Sequence, residues 1–64
     1  MRLTDFWERM RAELGEGYAD SYARDTVIAE LGGRTVEQAL AAGEETKAVW
    51  RAVCGALDLP PARR

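Results

Sequence analysis

The segment TVEQALAAGEETKAVWRAVC, residues Thr35–Cys54, decides the fold because it has the pattern of a helix, a tight glycine turn and a second helix. Ala39 stands where the two helices would come closest, Gly43 where the chain turns, and Val49 where the second helix packs back on the first. This spacing is typical of a helix-turn-helix. Two helices that merely pack together in a small α-helical domain show the same spacing, so it predicts architecture and leaves DNA binding open.

The length of the chain predicts one small domain, since 64 residues leave no room for separate catalytic and substrate domains. A core of this size usually contributes only about 3 to 5 kcal/mol, so such domains depend on disulfides, metals, oligomerisation or dense helix packing. Cys54 is the only cysteine and there is no histidine, which excludes an internal disulfide and a Cys/His zinc site. Stability must then come from packed aromatic and aliphatic side chains or from oligomerisation.

The charge and hydropathy patterns exclude several classes of protein. Nine basic and eleven acidic residues give a net charge of −2, so the chain lacks the overall positive charge typical of nucleic-acid-binding proteins. No apolar run approaches the roughly 18 residues of a membrane span, and the first residues lack the apolar core of a secretory signal. We therefore expect a soluble, cytoplasmic protein without a membrane partner.

The first helix is predicted from Thr4 to Leu14, with Thr4 as N-cap, Asp5 in the first turn and Gly15 beyond the end. Its apolar residues fall within an arc of about 100 degrees, which predicts one buried face. They are Leu3, Phe6, Trp7, Met10 and Leu14.

The second helix is predicted from about Tyr18 to Leu31, before the glycines at 32 and 33. Its apolar residues do not form one stripe. Tyr18, Tyr22 and Ala29 share one side, whereas Val27, Ile28 and Leu31 project from nearly the opposite side. Either the helix is central and contacts neighbours on two sides, or it breaks near Arg24 and Asp25. We favour the continuous central helix.

The third helix is predicted to begin at Thr35, whose hydroxyl caps it while Gln38 reaches back in a capping box. It runs for two turns before Gly43. The last helix, EETKAVWRAVCGAL, then starts at Glu44 and must end before Pro60 and the proline that follows.

The predicted fold is therefore all-α, a small helical bundle of three main helices and one short helix, with a helix-turn-helix-like C-terminal half and no β-sheet. Residues 1–59 form the single domain and residues 60–64 a frayed tail. Its local contacts predict fast folding. The predicted core comprises Phe6, Trp7, Met10, Leu14, Tyr22, Val27, Ile28, Leu31, Leu40, Val49, Trp50, Val53 and Leu57.

No group of residues in the chain has the pattern of a catalytic site. Glu44 and Glu45 are adjacent, so they do not share a helix face, and both stand where anions stabilise a helix start. Cys54 has no histidine to activate it and lies inside a helix, which predicts a small apolar filler at the edge of the core. Neither a GxxxxGK[ST] loop nor GxGxxG is present. We expect no enzyme activity, cofactor, metal or small-molecule substrate.

DNA binding by Lys47, Trp50 and Arg51 is the alternative function. Lys47 and Arg51 stand one turn apart on the second helix of the motif, but Glu44 and Glu45 would place two anions beside the phosphates. In a recognition helix Trp50 would face the groove, whereas the apolar arc of the last helix predicts that it lies in the core.

Three stretches resemble a family of short actinobacterial proteins classed only as a domain of unknown function: MRLTDFW, YARDTVIAELGGRTVEQALAAG and VWRAVCGALDLP. The resemblance covers essentially the whole chain and implies genes close to those of the recombinase RecA and its regulator RecX, hence a DNA-repair setting without any known activity. Relatives often have an apolar residue and Asp-Pro after Gly43, where this chain has Glu44, Glu45 and Thr46. Glu45 is a poorer N-cap than Asp, so the start of the last helix stays open at this point.

A small, nearly neutral helical domain without catalytic groups is expected to act through its surface, as a protein-interaction module. Exposed aromatic and arginine side chains are the usual anchors of such surfaces. The candidate partner-binding residues are therefore Trp7, Tyr18 and Arg51. The identity of the protein partner and the oligomeric state stay open at this point.

Overall fold

A computed structural model describes residues 1–63. Most of them lie in four α-helices: α1 (Leu3–Leu14), α2 (Glu16–Asp25), α3 (Val36–Ala41) and α4 (Thr46–Leu57). Between α2 and α3 the chain forms two short strands, β1 (Val27–Ile28) and β2 (Arg34–Thr35), which pair antiparallel. The predicted helical domain with three longer helices and one short helix is confirmed. The prediction that it lacks a sheet is wrong.

The second predicted helix is shorter than the apolar pattern suggested. α2 ends at Asp25 rather than at Leu31, so the break near Arg24 and Asp25 is the correct interpretation and the continuous helix is wrong. Residues 26–28 are consecutive β-branched residues, which are stiff at χ1 and favour extended backbone. Thr26 accordingly adopts φ −90° and ψ 118°. The chain leaves the helix where the β-branched run begins.

The two strands form a hairpin in which Val27 lies opposite Thr35 and Ile28 opposite Arg34. A short 3₁₀ helix, Ala29–Leu31, and Gly32 in the left-handed conformation turn the chain between them. Because side chains alternate along a strand, Ile28 is 2% exposed whereas Val27 is 62% exposed. The prediction that Val27 belongs to the core is therefore wrong.

The helix-turn-helix-like half has the predicted packing. The main-chain N–H of Gln38 donates to Thr35 Oγ1 at 3.1 Å, and the N–H of Thr35 donates to Gln38 Oε1 at 2.9 Å, which completes the capping box. Gly43 turns the chain at φ +90°. Ala39 and Val49 are both fully buried, as expected where the two helices meet.

The helices α1 and α4 both begin at residues other than the predicted ones. α1 begins at Leu3 with Arg2 as N-cap, because the N–H of Phe6 already donates to the Arg2 carbonyl at 3.0 Å. α4 begins at Thr46, two residues after Glu44, and the Glu45 side chain forms no capping hydrogen bond. Both predicted starts relied on side-chain caps that this chain does not use.

The core lies where the four helices and the hairpin meet. Among the predicted core residues, Trp7, Leu14, Leu40 and Leu57 are only partly buried and pack against its edge. Cys54 is 1% exposed, as predicted for an apolar filler. The prediction also omitted residues that are buried, namely Ala19, Ala23, Val36, Ala39, Ala52 and Leu59.

The predicted tail, residues 60–64, includes Arg64, which lies outside the described residues. Within its described part, Pro61–Arg63 form a short 3₁₀ helix. The Arg63 Nε lies 3.7 Å from the carboxylate of Glu13, so this turn is close to the end of α1.

Candidate functional site

A depression with a volume of about 570 Å³ lies between α1 and α4. We call it the α1–α4 cleft. It is lined by Met1, Asp5, Glu8, Arg9, Lys47, Trp50 and Arg51. The cleft therefore contains all three residues of the predicted DNA-binding set and one of the predicted partner-binding set.

Charges of opposite sign stand on the two walls of the cleft. The α4 wall carries Lys47 and Arg51, one turn apart, and the α1 wall carries Asp5 and Glu8. Arg9 on α1 also lines the cleft, so the α1 wall is anionic only in net charge. Lys47, Arg51, Asp5 and Glu8 are exposed, and within residues 1–63 none of these four forms an ion pair or a side-chain hydrogen bond. The cleft thus presents two oppositely charged walls that are not neutralised by each other.

Trp50 contributes little surface to the cleft. It is 2% exposed, and its ring meets that of Phe6 edge to face, with centroids 6.1 Å apart and an interplanar angle of 88°. The apolar arc of α4 predicted this position in the core. Of the predicted DNA-binding residues, only Lys47 and Arg51 are exposed.

A second surface runs along the outer side of α1. Leu3, Trp7 and Arg11 are spaced by four residues, so they lie along one line of the helix, which we call the Trp7 ridge. Leu3 is 52% exposed and Trp7 is partly buried. A shallow groove of about 330 Å³ follows the ridge and is lined by Leu3, Thr4, Trp7, Glu8 and Arg11.

The Trp7 ring is held from two sides. On its inner side the fully buried ring of Phe6 packs edge to face, with centroids 5.5 Å apart. On its outer side the Arg11 guanidinium carbon lies 5.7 Å from the ring centroid, within range of a cation–π contact. Arg11 in turn approaches the Asp20 carboxylate at 4.0 Å. Trp7 is therefore an ordered aromatic side chain at the surface.

Tyr18 lies apart from both surfaces. It is 58% exposed on α2, and its ring centroid is 6.1 Å from that of Tyr22. Burial, followed by the nearby Tyr18 and Glu30, raises the pKa of Tyr22. The three predicted partner-binding residues thus occupy three places: Trp7 on the ridge, Arg51 in the cleft and Tyr18 on α2.

Sequence reasoning missed seven residues that line these surfaces: Met1, Leu3, Thr4, Asp5, Glu8, Arg9 and Arg11. Leu3 and Arg11 could have been predicted from the sequence, because each stands four residues from Trp7 and therefore on the same side of the helix. Asp5 and Glu8 line the cleft only because α1 packs beside α4, and no local sequence pattern predicts that packing. In the described part of the chain, no three residues of the His, Cys, Asp and Glu types form a cluster that could hold a metal ion.

None of the helices within residues 1–63 has the length and apolar character needed to span a membrane. No curated protein and no solved structure matches the chain. A family model does match, over residues 1–62, and its description is "Protein of unknown function (DUF3046)". Because that match spans nearly the whole sequence, the chain belongs to the DUF3046 family of proteins of unknown function.

Proposed function

We propose that this domain is a non-enzymatic, cytoplasmic protein-binding module that binds a helix of a partner protein along the Trp7 ridge. The observation that carries the proposal is Trp7 itself, a surface tryptophan fixed between Phe6 and Arg11. Tryptophan and arginine are among the residue types most enriched in binding hot spots. A ring that is already ordered loses little conformational entropy when a partner covers it.

The shape and composition of the ridge favour a helical partner. Leu3 and Trp7 lie one turn apart beside a groove that runs along the α1 axis. An amphipathic helix laid in such a groove inserts apolar residues at helical spacing. Within residues 1–63 the Trp7 indole N–H has no hydrogen-bond acceptor, so it can donate to a polar group of the partner.

The rim of the groove adds specificity. Glu8 and Arg11 border it with opposite charges. Rim charges steer association and select partners more than they add affinity. We therefore expect a partner helix with an apolar seam and a basic residue on the side that meets Glu8.

The family resemblance supports a setting for this partner. It implies an actinobacterial source and genes beside those of RecA and RecX. Proteins of DNA repair and recombination are therefore the first partners to test, with purified RecA and RecX as the first two.

The test is affinity capture from native cells followed by titration of the captured protein against purified domain variants. Leu3→Glu places a charge on the ridge, and Val27→Glu is the matched control, since Val27 is 62% exposed elsewhere. The wild type and the control should bind equally, whereas Leu3→Glu and Trp7→Ala should weaken binding at least about tenfold. Equal binding by all four proteins contradicts the proposal.

The proposed absence of catalysis has its own test. A broad hydrolase and transferase screen should give no turnover above a buffer control. Turnover that a single polar substitution abolishes would overturn this part of the proposal.

DNA binding has less support than protein binding. Trp50 is buried, and the cations of the cleft, Lys47, Arg51 and Arg9, share it with Asp5 and Glu8, whose charges repel phosphates. Random duplex DNA should therefore cause no saturable amide shifts in α4. Shifts over residues 46–54 that disappear between about 50 and 200 mM salt and in Arg51→Ala would instead favour DNA binding.

A further inference from the structure

We propose that the α1–α4 cleft is a self-association surface, in which a second copy of this chain binds across a two-fold axis. This interface adjoins the Trp7 ridge, because Glu8 lines both the cleft and the groove along the ridge. It otherwise rests on Asp5, Lys47 and Arg51, and the ridge residues Leu3 and Trp7 do not line the cleft. The occupant follows from the arrangement of charge in the cleft.

The cleft has one cationic wall, with Lys47 and Arg51 on α4, and one wall of net negative charge, with Asp5 and Glu8 on α1. Arg9 on α1 also lines the cleft and offsets part of the negative charge of that wall. A two-fold axis brings the same patch of both molecules together, so that residue i of one copy meets residue j of the other and the reverse. A surface with adjacent walls of opposite sign is complementary to itself when the two-fold axis runs parallel to the walls. The α4 wall of each copy then faces the α1 wall of its mate.

The four side chains are available for such contacts. None of them has an ion-pair partner within residues 1–63, although their charges would favour pairing. A uniformly acidic or basic peptide would match one wall and be repelled by the other. A second copy satisfies both walls at once, which is why we favour it over such a peptide.

Apolar surface at the cleft also favours self-association, in addition to the charges. Met1 lines the cleft and is 44% exposed. A standard interface covers about 800 Å² on each partner, about a fifth of the 4063 Å² surface of this chain. The cleft is smaller than that, and exposed ion pairs are individually weak. The dimer is therefore weak, and its population depends on protein and salt concentration.

The experiment is sedimentation equilibrium of the full chain over a wide range of protein concentrations, at about 50 and 500 mM salt. The wild type should self-associate at low salt and less so at high salt. Arg51→Glu and Glu8→Arg each introduce a repulsive contact twice in the symmetric dimer, so each should lower the association constant at least about tenfold. Circular dichroism of each variant checks that the helices are intact.

Two matched controls separate the cleft from the effect of net charge. Arg24→Glu changes the charge as Arg51→Glu does, and Glu37→Arg changes it as Glu8→Arg does. Both control residues are exposed and lie outside the cleft. The controls should self-associate like the wild type, and equal loss in controls and cleft variants would overturn the proposal.

A mixture of the two cleft variants is the decisive measurement. In the mixed dimer the glutamate introduced at position 51 of one copy meets the arginine introduced at position 8 of the other, while the other half of the interface keeps the wild-type charges. The equimolar mixture of R51E and E8R should therefore regain the association that each lacks alone. A monomeric wild type at all concentrations, or variants that fail to associate on mixing, would overturn the proposal and leave the cleft to a different partner.

Discussion

The hydroxyl of Thr46 donates a hydrogen bond to the main-chain carbonyl of Met1, 2.6 Å away across 45 residues of sequence. This bond joins the segment that precedes α1 to the first turn of α4. Glu45, the N-cap of α4, forms no side-chain cap, so the Met1 contact is one of the polar contacts that hold this helix end.

Thr46→Ala should lower the free energy of unfolding by about 0.5 to 1 kcal/mol, because the site is exposed and water replaces part of the lost bond. Thr4→Ala is the matched control, since Thr4 is exposed and caps no helix. Urea denaturation of both variants measures the difference. Equal stability of the two variants would show that the Met1 contact contributes nothing.

Local patterns predicted the parts of the fold that depend on neighbours in sequence. Thr35 and Gln38 are three residues apart, and their capping box forms as expected. Val27 was misplaced because the apolar pattern was taken as helical, whereas the β-branched run makes the backbone extended. The burial of Leu59 and the contact between Met1 and Thr46 depend on which helices pack together, and no short-range signal contains that information.

The two candidate surfaces also differ in how far the sequence could predict them. The spacing of Leu3, Trp7 and Arg11 along α1 is present in the sequence, so the ridge was predictable once Trp7 was singled out. The cleft was not predictable, because the charges of Asp5 and Glu8 become relevant only when α1 packs beside α4. The burial of Trp50, by contrast, followed directly from the apolar arc of α4.

Two glycine substitutions should change stability in opposite directions. Gly17 lies in α2 with ordinary helical backbone, and a Cβ added there meets no atom within 4 Å. Gly17→Ala should therefore raise the free energy of unfolding by about 0.5 to 1 kcal/mol. Gly32 has φ +72°, so Gly32→Ala should lower it by about 1 to 2 kcal/mol. Thermal unfolding monitored by circular dichroism compares the two, and a reversed order contradicts the backbone conformations described above.

Stability should fall at alkaline pH because of Tyr22. Burial, then Tyr18, then Glu30 raise its pKa above the ordinary value of 10.0, so the folded state holds this proton more tightly than the unfolded state does. The resulting contribution to stability is complete below pH 10.0 and is lost as the pH rises through the raised pKa.

Tyr22→Phe should remove this part of the loss of stability at alkaline pH. Tyr18→Phe should keep most of it, because burial raises the pKa of Tyr22 more than Tyr18 does. Urea denaturation at a series of pH values from about 9 to 11 measures how steeply the free energy of unfolding of each protein falls with pH. The other charged groups are common to all three proteins, so their effects cancel in the comparison. A wild-type slope retained in Tyr22→Phe would assign the loss to other groups.

The two tryptophans differ in their burial. Trp50 is 2% exposed and packs edge to face on Phe6, whereas Trp7 is partly buried at the edge of the core. Trp50→Ala should lower the free energy of unfolding by about 3 to 5 kcal/mol, which is comparable to the whole stability expected for a domain of this size, so this variant should be largely unfolded.

Fluorescence distinguishes the environments of the two indole rings. Trp7→Phe leaves Trp50 as the only indole, and its emission should be blue-shifted and protected from quenching by acrylamide. Trp50→Phe keeps an aromatic ring beside Phe6 and leaves Trp7, whose emission should be red-shifted and readily quenched. If the emission of Trp50 is instead the more readily quenched, this residue is accessible to solvent, and stacking of its ring on a base would again be a reasonable hypothesis.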